Sequence, residues 1–164
     1  MKQLIILVGL KGSGKTYIGS LMQERLGIRF IRIENIWLSI KQERLTNEYC
    51  SKGFRLAERE IDNQFKDSDI ITIESTGITK YFEPFLERLN QKYNIKLIKI
   101  DASPDICLQR VKSRNSNTHI PVSDDILEQI NQEALKVNLE FDMVINNEIS
   151  SENEILMQIQ ELLI

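Results

Sequence analysis

Long apolar runs, cysteines and charge of one sign are all scarce in this chain of 164 residues. After Lys2 the apolar residues run only from Leu4 to Leu10, with Gly9 among them. That is far short of the roughly 20 apolar residues that a membrane span needs. It also lacks a small-residue cleavage site and leads straight into Lys11, so neither a membrane nor a secretory signal is expected. Two cysteines, Cys50 and Cys107, have no metal-like spacing and read as reduced thiols of a cytoplasmic protein. The formal net charge is −3, with no basic tail and no block of like charges, so nucleic acid is not expected as a partner. Apolar residues at 41% and charged residues at 27% suit one compact domain over 1–164, present as a monomer or a weak homodimer.

What is present alternates. Short runs rich in isoleucine and valine lie at 3–8, 28–33, 69–73, 95–100 and 141–145. Helix-length stretches separate them, at 15–26, 34–66 in two pieces, 80–93, 105–114, 124–138 and 152–163. Ser103-Pro104 and Ser123-Asp124-Asp125 are start signals for two of these helices. Strand and helix in alternation predict an α/β fold with a mostly parallel sheet covered on both faces. The polar stretch 115–123, NSNTHIPVS, is the expected irregular segment and contains the single histidine, His119, read as an exposed loop residue.

Glycine is also scarce, at seven residues, yet three fall within six positions. Gly9-Leu10-Lys11-Gly12-Ser13-Gly14-Lys15-Thr16 matches G-x-x-x-x-G-K-[ST], the P-loop, between the first strand and the first helix. Glycines let successive N–H groups curl around an anion, and the helix N-terminus adds partial positive charge. Lys15 then reaches the β- and γ-phosphates, and the Thr16 hydroxyl ligates Mg²⁺. A nucleoside triphosphate is the expected ligand, held by Gly9, Lys11, Gly12, Ser13, Gly14, Lys15, Thr16 and Tyr17.

Three later features bear on the fate of the γ-phosphate. Glu34 follows the second strand, at the sheet edge where ligands gather; it suits a base for an acceptor hydroxyl, a substrate or metal contact, or an ordinary acid at a helix start. Glu74 follows the third strand, where a metal-proximal acid or a substrate contact is expected, and Ser75-Thr76-Gly77 form a small polar turn suited to a substrate. Arg110 and Arg114, four apart before the irregular segment, suit charge neutralisation on a transferring phosphoryl group or a solvated helix face. Trp37, one turn beyond Glu34, suits a pocket wall or the core.

With these residues the chain resembles the small P-loop kinases related to nucleoside-monophosphate kinases. The resemblance implies a three-layer fold with a five-stranded sheet in the order 2-3-1-4-5 and a lid at about 114–123. It also implies that Arg110 and Asn146 lie at the adenine. The chain is similar in more detail to the shikimate kinase family. Gly53 to Glu60, GFRLAERE, resembles that family's F-R-x-x-E stretch, with Phe54, Arg55 and Glu58 at the matching places. There Arg55 would grip a substrate carboxylate, or the phosphate of a nucleotide acceptor. FIRIE, Phe30 to Glu34, resembles its F-x-D-x-D, but with Arg32 and Glu34 in place of the two aspartates. Glu74-Ser75-Thr76 replaces the family's triple glycine, and no arginine-proline pair occurs in 115–123.

A GTPase is excluded by the absence of N-K-x-D in VINNE, residues 144–148. The expected function is an ATP- and Mg²⁺-dependent kinase of a small-molecule acceptor bound near Glu34, Arg55, Glu74 and Gly77. The alternatives are a nucleic-acid 5′-hydroxyl kinase and a non-catalytic ATP-binding module.

Overall fold

β-branched runs build the centre of the molecule. The computed structural model describes residues 2–40, 46–78, 80–114 and 122–163. β1 (Gln3–Val8) is followed by α1 (Lys15–Leu26), β2 (Arg29–Ile31), α2 (Ile33–Ser39), α3 (Asn47–Gln64) and β3 (Ile70–Ser75). Then come α4 (Phe82–Asn90), β4 (Asn94–Asp101), α5 (Pro104–Lys112), α6 (Asp124–Leu135), β5 (Met143–Asn146) and α7 (Glu152–Leu162). All strand pairs are parallel, in the order β2-β3-β1-β4-β5. The expected sheet and its order are therefore borne out.

The strand period of two splits β1 between two cores. Leu4, Ile6 and Val8 face one, with Phe54, Ala57 and Ile61 of α3 and Phe82, Phe85 and Leu89 of α4. Ile5 and Leu7 face the other, with Ile18, Leu21 and Met22 of α1 and Ile155 and Ile159 of α7. Leu4 to Leu7 are wholly buried, which is why no polar residue interrupts them. Among the strand ends that differ from expectation, two bear on the candidate site. β2 stops at Ile31, because Ile33 turns into the core as the first residue of α2, and Glu34 falls in that helix's first turn. β3 runs on to Ser75, pairing with Val8, so Glu74 lies within the strand.

The stretch 34–66 divides as expected into two helices. Thr46 caps α3 by accepting from the Tyr49 N–H at 3.1 Å. Ser123 caps α6 as its sequence suggested, and Ser103-Pro104 opens α5. Most of the expected lid segment, with His119, lies outside the described residues.

Candidate active site

The turn between β1 and α1 crosses the C-terminal edge of the sheet. Gly12 and Gly14 both take positive φ, 99° and 100°, which side chains larger than hydrogen rarely adopt. Gly14 is the N-cap of α1, so the helix's first N–H groups open onto the turn. Lys15 is buried and folds back across the loop, its Nζ donating to the Gly9 carbonyl at 2.8 Å and the Leu10 carbonyl at 2.7 Å. Burial, aided by the charges of Lys11 and Arg114 and opposed by Glu74, lowers its pKa from 10.5 to about 8.

Beside the turn is a cavity of about 470 Å³. Lys11, Gly12, Gly14, Lys15 and Thr16 line one part of it, together with Glu34, Glu74 and Arg114. The Thr16 hydroxyl donates to Glu74 Oε2 at 2.7 Å. The other Glu74 oxygen, Oε1, is buried with no hydrogen-bond partner among the described residues. Lys11 Nζ donates to Glu34 Oε1 at 3.3 Å, and Arg32 lies 3.9 Å from the other carboxylate oxygen. The rest of the lining is mostly apolar, with Ile33, Trp37 and Phe54, and Ile126 and Ile130 of α6, but it also includes Tyr49, Ser75 and Thr76.

Not every residue singled out in the sequence comes here. Arg55 is exposed and donates to Ser51 Oγ at 2.6 Å. The hydroxyl of Tyr17, half exposed on α1, donates to Glu152 of α7. Gly77 lies just past the cavity wall, its N–H donating to Ser75 Oγ at 3.0 Å. Arg110 reaches the turn from behind, donating to the Ser13 carbonyl at 3.2 Å and the Asn147 carbonyl at 2.9 Å. Asn146 is exposed at the end of β5 and bonds locally to the Glu148 N–H.

Two asparagines that sequence reasoning missed grip the turn. Asn131 of α6, buried, accepts from the Lys11 N–H at 2.8 Å and donates to the Lys11 carbonyl at 3.0 Å. Its spacing of four from buried Leu127 put it on the inward stripe of an amphipathic helix, and an asparagine there was the available signal. Asn147 Nδ2 donates to the Ser13 carbonyl at 2.7 Å. No signal distinguished it from its neighbour Asn146.

Known proteins resemble this chain along most of its length. The shikimate kinase family model matches residues 11–163. A shikimate kinase of Persephonella marina is 23% identical over 158 residues, covering 94% of this chain and 95% of that one. A shikimate kinase of Macrococcus caseolyticus is 30% identical over 115 residues, covering 68% of this chain and 64% of that one. Among solved structures, a sugar kinase from a Janibacter species superposes with a TM-score of 0.70 at 18% identity, over 99% of this chain and 95% of its own. The family match runs from the phosphate turn to the last helix, and the chain belongs to the shikimate kinase family, as an ATP-dependent kinase of a small molecule.

Proposed function

We propose that this chain moves the γ-phosphoryl group of ATP onto the hydroxyl of a small acceptor held in the cavity beside Glu34. The observation that carries this reading is that a single cavity joins the phosphate turn, two carboxylates and an apolar chamber. Lys15, Lys11 and Arg114 place three cations at the turn, where a polyphosphate needs them. Lys15 exchanges its two carbonyl partners for phosphate oxygens. Arg110 acts by holding the turn through Ser13, with Asn146 on the adenine side.

Mg²⁺ suits Thr16 and Glu74. It takes one or two protein oxygens along with phosphates and water, and the buried, orphaned Glu74 Oε1 is such a hard donor. The ion would offset charge on the β- and γ-phosphates. Glu34 accepts a hydrogen bond from the acceptor hydroxyl and takes its proton as the oxygen–phosphorus bond forms. The bond from the γ-phosphorus to the bridging oxygen breaks, and its electron pair leaves with ADP. The chain acts as a single catalytic unit spanning 1–164, in the cytoplasm, and the expected lid at about 114–123 falls mostly outside the described residues. Among the described residues, no helix is long and apolar enough to cross a membrane.

A screen of alcohols tests the reading. ADP is expected to form in equal amount with a phosphorylated acceptor, followed by coupled assay and phosphorus NMR. ATP consumption that no acceptor changes would remove the kinase reading.

The buried lysine adds a pH dependence. In the ligand-free protein Lys15 gives up its proton from about pH 8 upward, whereas in the unfolded chain it keeps it to about 10.5. ATP binding needs the ammonium form, so affinity is expected to fall about tenfold between roughly pH 7 and pH 9. Stability moves the other way. Between these two pKa values the unfolded chain binds more protons, so the cost of burying the charged lysine, fully present below about pH 8, is relieved as pH rises. Calorimetric titrations with a non-hydrolysable ATP analogue check the first trend, and thermal melts of the free protein check the second. A flat affinity profile would contradict a titrating Lys15.

A further inference from the structure

We propose that Asn147 is a positioning residue for the nucleotide, fixing the Ser13–Gly14 peptide so that the Gly14 N–H faces the phosphates. It rests on the kinase reading above and deepens it.

The turn needs such a device. Gly12 and Gly14 admit the positive φ values found there. A glycine also tolerates the opposite sign of φ, so a peptide plane beside it turns over at little cost. The Ser13–Gly14 peptide is planar, with its C=O and its N–H on opposite sides. Whatever holds the Ser13 carbonyl therefore aims the Gly14 N–H.

Two donors hold that carbonyl. Asn147 Nδ2 donates to it at 2.7 Å and Arg110 Nη1 at 3.2 Å. Gly14 lines the cavity, whereas among the described residues neither Asn147 nor Arg110 does. The carbonyl is drawn to the back of the turn. The N–H is left on the cavity side, where the polyphosphate would lie.

Asn147 is itself firmly mounted. It directly follows β5, and its N–H donates to the Asp101 carbonyl at 2.9 Å. Its own carbonyl accepts from Arg110 Nη2 at 2.9 Å, so one arginine braces both ends of the contact. Glu148, the next residue, accepts from the Ser103 N–H at the start of α5. The side chain also lies close against the turn. A Cβ added at Gly14 would collide with Asn147 Nδ2, and one at Gly12 would collide with the Cys107 carbonyl. The turn is thus backed by α5 and gripped by the loop after β5, with little room to shift.

Asn147→Ala tests the inference with three probes. Inorganic tripolyphosphate has phosphates and no base, adenosine has a base and no phosphates, and ADP has both. Tripolyphosphate and ADP are expected to bind the variant about tenfold more weakly or worse, the scale of one hydrogen bond to a charged acceptor, while adenosine binds as before. The KM for ATP is expected to rise by a similar factor. In proton–nitrogen NMR spectra, tripolyphosphate is expected to move the Gly14 amide proton downfield in the parent and much less in the variant. Weaker ADP with unchanged tripolyphosphate would place Asn147 with the base and overturn the inference. Equal loss of all three probes would show a general collapse and overturn it too, as would no loss at all. Tripolyphosphate and ADP that bind as expected, in a parent protein that phosphorylates no alcohol, support the inference and sink the kinase reading. A parent protein that binds neither overturns both. A thermal melt checks folding; if Asn147→Ala does not fold, Asn147→Ser, whose shorter side chain cannot reach Ser13, carries the same expectations.

Discussion

Lys15→Ala is expected to lower phosphoryl transfer by at least about 10²–10³-fold, the scale on which one donor aimed at developing charge contributes in a water-poor site. The ammonium group is held within the turn by the Gly9 and Leu10 carbonyls, so only a short movement separates its resting contacts from the phosphates. The variant is expected to fold. The three hydrophobic clusters contain no part of Lys15, and its burial as a cation is a cost that alanine removes. Steady-state ADP release reads the first effect and a thermal melt the second. Turnover at the parent rate would show that the phosphates do not sit in this turn.

Glu34→Gln is expected to reduce acceptor phosphorylation by about 10²–10⁴-fold, the usual contribution of a positioned general base. The substitution keeps the shape and removes the proton acceptor. It also ends the ion pair with Lys11, 3.3 Å away, and so releases a cation at the phosphate turn. ATP affinity is therefore expected to hold or rise as transfer collapses. A pure loss of ATP binding would instead place Glu34 with the nucleotide. Titrating a fluorescent ATP analogue at several Mg²⁺ concentrations, in parent and variant, separates these outcomes. Transfer at the parent rate in Glu34→Gln would pass the base role to Glu74.

The sheet was legible in the sequence because its determinants are local. β1 carries its burial in its composition, and Gly12 and Gly14 carry the turn's backbone geometry in theirs. The helix starts at Ser103-Pro104 and Ser123 were legible for the same reason, although only the Ser123 side chain makes a capping hydrogen bond. The direction of a side chain on a long helix was less so. The sequence places Arg55 beside Phe54, but only the phase of α3, fixed by five buried residues, turns it outward. The clamps on the turn were hidden for a different reason. Asn131 reaches Lys11 across 120 positions and Asn147 reaches Ser13 across 134, and no local pattern records pairings that distant. Glu34 was found, but its Lys11 partner as an ion pair was not, because that contact depends on where α2 begins.

The two hydrogen bonds between Asn131 and the backbone of Lys11 make α6 a shared beam. The beam carries Ile126 and Ile130, against which an acceptor would rest, and beside Ile130 it is fastened to the loop that would receive the nucleotide. On the proposed reading, neither ligand settles without loading the element that the other uses. Whatever free energy a filled chamber lends to nucleotide binding, a filled loop returns in equal measure to the acceptor. A ternary complex built this way is favoured over either binary one when both ligands prefer the same position of α6, and ATP that enters alone meets a looser site than ATP that enters beside its acceptor.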